Sequence, residues 1–96
     1  MARKSVLHLT LHREFFDQIA SGTKKTEYRD TSDYWARRLE DRDYDEIVFR
    51  NGYGLKVPEM RVEFRGIRKR GTGRSGHYAI KLGKVLKILR WRRPRA

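Results

Sequence analysis

The sequence predicts a mixed, mainly β fold: a small, partly closed barrel of about five strands with two short α-helices. Apolar and polar residues alternate with the two-residue period of a strand in several segments, and two short segments between them have helical spacing. The 96 residues contain no internal repeat and no linker, so we expect one small domain. Closure of the sheet would hide edges that a short sheet otherwise exposes. An open α+β sheet is the alternative architecture.

The first strand and the first helix are predicted near the amino terminus. Leu7, Leu9 and Leu11 alternate with polar residues, as in a half-buried strand. The segment REFFDQIASG then changes to helical spacing, with acidic residues in its first turns. Gly22 follows as a stop signal, so we expect a short helix that ends there.

A second strand and a second helix are predicted next. The segment KKTEYR alternates, which places Lys25, Glu27 and Arg29 on one face of a strand. In the segment TSDYWARRLED, Ser32 or Asp33 is a candidate cap for a short amphipathic helix. Trp35, within this helix, is expected in the core.

A third and a fourth strand flank a glycine-rich loop. DEIVFR has the composition of a strand, and NGYGLKVP reads as a loop because Asn-Gly favours left-handed backbone. In the next segment Met60, Val62 and Phe64 alternate with charged residues, which predicts the fourth strand.

The last strand is predicted after a flexible hairpin loop, GTGRSG. The segment HYAIKLGKVLKI contains Gly83, where a bulge or a close approach of backbone is expected. The tail RWRRPRA shows no core pattern, so we expect a domain over residues 1–89 and a basic tail over 90–96. The residues expected on the apolar face of this strand are Ile80, Leu82, Leu86 and Ile88.

Positive charge is concentrated in the last third of the chain. Residues 1–60 carry 11 Lys and Arg against 11 Asp and Glu, whereas residues 61–96 carry 13 cations against Glu63 alone, and the net charge is +12. Such a field attracts polyanions, and nucleic acid is the expected partner; anionic membrane surfaces and acidic proteins are alternatives. The expected phosphate contacts of the tail are Arg90, Arg92, Arg93 and Arg95.

The composition excludes several classes of protein. The chain has no Cys, so disulfides cannot staple it, and it has no apolar run long enough to span a membrane. No signal peptide is apparent, so we expect a cytoplasmic location. His8, His12 and His77 are too few to predict a zinc site, and we expect no metal or cofactor. A monomer is favoured.

The run IASGTKKTEYRD resembles the signature of the ASCH family, a branch of the PUA-like barrels. Gly22, Lys24, Glu27 and Arg29 fill the family pattern of Gly-x-Lys-x-x-Glu-x-Arg after a short helix. The segment HYAIKLGKVLKI also resembles the last strand of that family, so the similarity spans about residues 7–88. The resemblance implies a PUA-like barrel with a cleft that binds RNA or a modified nucleoside.

The physical chemistry of the motif agrees with that expectation. A turn at Gly22 lets Lys24 point into a cleft, with Glu27 and Arg29 following from the next strand. Lys24 suits a phosphate, Arg29 offers a planar fork, and Glu27 is expected to orient Lys24. The alternative is a structural cluster in which Glu27 only neutralises its neighbours.

Two further ligand-binding candidates lie in the segment FRNGY. Asn51 suits the edge of a base and Tyr53 suits stacking, as in proteins that bind single strands. An ordinary turn is the alternative interpretation.

Binding of RNA or a nucleotide without catalysis is the favoured function. A hydrolase of RNA, or of a modified nucleoside such as 4-acetylcytidine, is the alternative, with Lys24 and Glu27 as catalytic residues. In the deacetylase of the ASCH family a Thr follows the Lys by three residues, whereas this chain has Glu27 there. A third possibility is an adaptor whose basic tail binds an acidic protein.

Overall fold

The structure is a computed structural model in which residues 4–71 and 73–93 are described. Two strands alternate with two α-helices, and three further strands follow, with a short 3-10 turn at Gly73–Ser75 in the last hairpin. The elements are β1 Val6–Thr10, α1 Arg13–Ala20, β2 Thr26–Asp30, α2 Asp33–Leu39, β3 Glu46–Arg50, β4 Glu59–Arg70 and β5 His77–Leu89.

The strands form one mixed sheet that curls into a half-barrel, in the order β1-β3-β4-β5-β2. β1 runs parallel to β3, and the other neighbouring pairs are antiparallel. In the described part of the chain no ladder joins β1 to β2, so these two strands are the edges of the sheet. The predicted small, mainly β fold with two helices is confirmed, while its PUA-like character stays a prediction.

The end of α1 and the start of α2 each have a local cause. α1 buries Phe16 and Ile19 and ends at Ala20 with Ser21 as its C-cap, after which Gly22 adopts a φ of 87° that favours glycine. α2 is capped by Ser32, whose hydroxyl accepts a hydrogen bond from the backbone amide of Trp35 at 3.3 Å. The helices are eight and seven residues long, and neither could span a bilayer.

The core lies inside the curl of the sheet, where α1 and the end of α2 cover it. Ile80 and Leu82 of β5 reach this core as the alternation predicts, and Tyr78 is buried there as well. The other fully buried large side chains are Phe16, Ile19, Leu39, Ile47, Phe49, Met60 and Val62. Burial of this apolar surface is the main favourable term in folding.

The expectation for β5 was wrong at one position, Leu86, which is 44% exposed. The register between β4 and β5 shifts beside Gly83, because Phe64 pairs with Leu82 whereas Val62 pairs with Val85. The extra residue of a bulge reverses which side chains face inward. Val85 therefore packs against the core in place of Leu86.

The tail also differs from the sequence prediction, because Trp91 packs against the core. Its indole Nε1–H donates a hydrogen bond to Oδ1 of Asp17 in α1 at 2.7 Å. Arg90 turns the chain with a φ of 57°, and its Nε donates to the carbonyl oxygen of Val57 at 2.8 Å. The chain after β5 is thus attached to the domain as far as Trp91.

Candidate functional site

A cleft of about 700 Å³ opens between the two edge strands, β1 and β2. The amino-terminal end of α2 and the loop after β3 form its other sides, because Trp35 and Tyr53 both line it. The cleft exists because the sheet stops curling before its edges meet. Its volume lies within the ~300–1,000 Å³ that is usual for small-ligand pockets.

An ion pair between Glu27 and Arg29 forms part of the lining of the cleft. Oε2 of Glu27 lies 2.9 Å from Nη2 of Arg29, and the glutamate is only 6% exposed. The same Nη2 donates a hydrogen bond to the carbonyl oxygen of Thr10 at 3.2 Å. The guanidinium also lies over the indole of Trp35, with 5.0 Å between Cζ and the ring centre. Arg29 is therefore held in place beside the cleft.

Lys24 pairs with the same carboxylate from its other side. Its Nζ lies 3.6 Å from Oε1 of Glu27 and about equally far from two rings, 5.2 Å from the centre of Phe15 and 5.3 Å from that of Tyr28. The Lys24 side chain is only 18% exposed. The three predicted charges do converge, and the burial of Glu27 favours a structural role for it.

Gly22 lies outside this cleft. With Lys24 and Lys25 it borders a separate hollow of about 330 Å³ beside Gly83 of β5. Gly22 makes the turn that the sequence predicts. Of the four motif residues, only Glu27 and Arg29 line the large cleft.

Asn51 and Tyr53 both line the cleft, as the sequence interpretation requires. The side-chain amide of Asn51 donates to the carbonyl oxygen of Leu11 at 3.0 Å, which ties the loop after β3 to the turn before α1. Tyr53 is 90% exposed. Asn51 thus helps to build the cleft, whereas the ring of Tyr53 is open to a ligand.

The sequence interpretation missed the aromatic residues at the start of α2. Tyr34 and Trp35 meet edge to face, with 4.9 Å between ring centres, and both line the cleft. Trp35 was expected in the core, but it is only partly buried, between the core and Arg29. Neighbouring helix positions do not share a face, so the Tyr-Trp pair itself indicated that one ring lies outside the core.

The basic residues after β5 lie apart from the lining of the cleft. Arg92 and Arg93 are exposed, and Arg95 lies outside the described residues. Their expected contacts with phosphate stay a prediction. In residues 4–71 and 73–93, no three His, Asp or Glu side chains are grouped closely enough to hold a metal ion.

Comparison of the chain with protein-family models, with curated proteins and with solved structures finds no match. The ASCH resemblance stays a prediction that rests on Gly22, Lys24, Glu27 and Arg29 after a short helix and on the last strand.

Proposed function

We propose that this protein binds a nucleotide unit of RNA in the cleft between β1 and β2, without catalysis. One observation carries the proposal. Six large apolar side chains are exposed in the described chain, and four of them, all aromatic, line this one cleft. These four are Phe15, Tyr28, Tyr34 and Tyr53.

The chemistry of these rings suits a nucleobase. Aromatic faces stack on bases with little regard to sequence, and each stacked base contributes about 1–3 kcal/mol to binding. Arg29, fixed between Glu27 and Trp35, supplies a planar group that stacks on a base or donates to its edge.

The charge of the whole chain supports the same class of ligand. A net charge of +12 draws polyanions to the surface, whereas the cleft supplies the aromatic contacts that retain a base. The amine of Lys24 and the carboxylate of Glu27 are already paired with each other and with neighbouring groups. Binding therefore accounts for this geometry without a chemical step.

Replacement of Tyr53 by Ala tests the proposal. Because Tyr53 is 90% exposed, its loss should leave the melting temperature unchanged and weaken binding of a fluorescent single-stranded RNA about tenfold. Leu55→Ala is the matched control, since Leu55 is 92% exposed in the same loop but does not line the cleft. Equal affinity of the two variants, measured by fluorescence anisotropy, would count against the proposed function.

A further inference from the structure

A second groove, of about 400 Å³, lies along the end of α2. Five residues line it, three of them arginines and two of them tyrosines. We call it the arginine groove. Tyr34 lines both this groove and the cleft, so the two surfaces adjoin across one exposed ring. The lining residues of the arginine groove are Tyr34, Arg37, Arg38, Arg42 and Tyr44.

We propose that the arginine groove binds the phosphates of the nucleotides next to the one held in the cleft. The ligand would then be a single-stranded nucleic acid rather than a free nucleotide. This inference rests on the proposed function, because it extends a strand from the cleft across Tyr34.

The charge in the groove is available to a ligand. Within the described residues, no carboxylate forms an ion pair with Arg37, Arg38 or Arg42. Three acids that follow closely in sequence, Glu40, Asp41 and Asp43, line a different hollow, on the side of β4 and β5. Arg42 borders both hollows, whereas Arg37 and Arg38 line the arginine groove and not the acidic hollow. Three cations thus face one groove whose lining contains no acid.

The walls of the groove are held by contacts within the protein. The hydroxyl of Tyr44 donates a hydrogen bond to the carbonyl oxygen of Arg38 at 2.5 Å. Nε of Arg42 donates one to the carbonyl oxygen of Arg37 at 3.2 Å. These bonds satisfy carbonyl oxygens at the end of α2. Cζ of Arg38 lies 4.5 Å from the centre of the Tyr34 ring. A groove held in this way needs little ordering when a ligand binds.

Arginine beside tyrosine favours a single strand over other polyanions. Guanidinium forks bind phosphate through two hydrogen bonds, and exposed rings stack on unpaired bases. A duplex keeps its bases stacked within itself and cannot offer them to Tyr34. A phosphorylated peptide would use the arginines but would leave the adjoining aromatic cleft without a partner.

The test compares the double variant Arg37→Gln/Arg38→Gln with the control Lys87→Gln. Lys87 is an exposed cation of β5 that lies opposite Arg61 in the ladder between β4 and β5. Each variant is titrated with uridine monophosphate and with an oligouridylate of about ten nucleotides, within the site sizes of ~4–16 that single-strand binders use. Melting temperatures are compared because Arg37 and Arg38 also complement the dipole of α2.

We expect the double variant to bind the oligouridylate about tenfold more weakly or worse. Its plot of log affinity against log salt should lose about 1.4 in slope, since each phosphate contact on a single strand contributes about 0.7. Binding of the monophosphate should be unchanged. Arg37→Lys/Arg38→Lys should keep most of the salt slope but lose part of the affinity, because lysine lacks the fork.

Each contrary outcome has a definite meaning. If the double variant and Lys87→Gln bind the oligouridylate equally, the inference is wrong while the proposed function stands. Tighter binding of a phosphoserine peptide, or of a duplex of the same length, would overturn the assignment to single strands. If the wild-type protein binds neither the monophosphate nor the oligouridylate, the proposed function fails as well.

Discussion

The side chain of Arg29 joins the two edges of the sheet. From β2 it donates a hydrogen bond to the carbonyl oxygen of Thr10, the last residue of β1, at 3.2 Å. The same Nη2 lies 2.9 Å from Oε2 of Glu27, and the Nε of Arg29 is buried without a hydrogen-bond partner in the described chain. The guanidinium that borders the cleft therefore also helps to keep the cleft at a fixed width.

The first prediction concerns Glu27, the buried partner of two cations. Glu27→Gln leaves Lys24 and Arg29 without their shared counter-charge, so we expect a loss of about 3 kcal/mol in the free energy of unfolding. For a domain of this size the melting temperature should fall by about 12 °C or more. Glu14→Gln, an exposed position in the first turn of α1, is the matched control. A melting temperature within a few degrees of that control would mean that Glu27 serves ligand binding alone.

A second prediction concerns the hydrogen bond between Trp91 and Asp17. Trp91→Phe keeps an aromatic ring but removes the indole donor, and we expect a loss of about 2 kcal/mol, as for other bonds to charged groups. Arg92→Gln changes the next residue, which is exposed, and should alter the stability by less than about 0.5 kcal/mol. Urea denaturation of both variants measures the difference; equal midpoints would show that Trp91 does not anchor the tail.

The effect of Trp91 should also depend on pH. Burial raises the pKa of Asp17, but the hydrogen bonds from Trp91 and Arg13 and the charge of Arg13 outweigh burial and hold the pKa below its usual value. A lowered pKa stabilises the fold above the usual pKa of the carboxyl, and this contribution is lost as the pH falls through the lowered value. The difference in the free energy of unfolding between wild type and Trp91→Phe should therefore become smaller as the pH falls through the lowered pKa of Asp17.

A third prediction concerns Tyr78, whose hydroxyl donates a hydrogen bond to Oε2 of Glu40. That bond, with a smaller contribution from burial, raises the pKa of Tyr78 from 10.0 to about 12. The raised pKa stabilises the fold below pH 10, and the contribution is lost as the pH rises from there to about 12.

Alkaline titration of wild type and Tyr78→Phe checks this prediction. The wild-type protein should lose stability between pH 10 and about 12, and Tyr78→Phe should lack this loss. The difference between their tyrosinate absorbance curves should have its midpoint near 12. A midpoint near 10, the ordinary value, would show that the bond to Glu40 is not maintained in solution.

The regular strands could be predicted because their alternation is set by local geometry. Leu7 and Leu9 of β1 are buried, as the two-residue period requires. A bulge beside Gly83 could be expected as well. Its effect on Leu86 could not, because the inward face after a bulge depends on the register with β4, a contact distant in sequence.

The candidate site was predictable only in part. The motif placed Glu27 and Arg29 together, since both lie on one face of a single strand. The roles of Tyr34 and Trp35 follow from how far the sheet curls, which leaves a gap between β1 and β2 that no local pattern encodes. Trp91 was missed because a single aromatic residue among arginines has no period to reveal its burial.

The central claim is that a nucleobase binds in the cleft between β1 and β2, which Trp35 lines, and fluorine NMR of the protein made with fluorotryptophan tests it most directly. The chain has two tryptophans, so the spectrum should contain two resonances, and the Trp91→Phe variant assigns them. Titration with uridine monophosphate should shift the Trp35 resonance to saturation and leave that of Trp91 in place, because Trp35 lines the cleft and Trp91 packs on the core beside α1. Saturable binding of the nucleotide with no shift at Trp35 would contradict the claim.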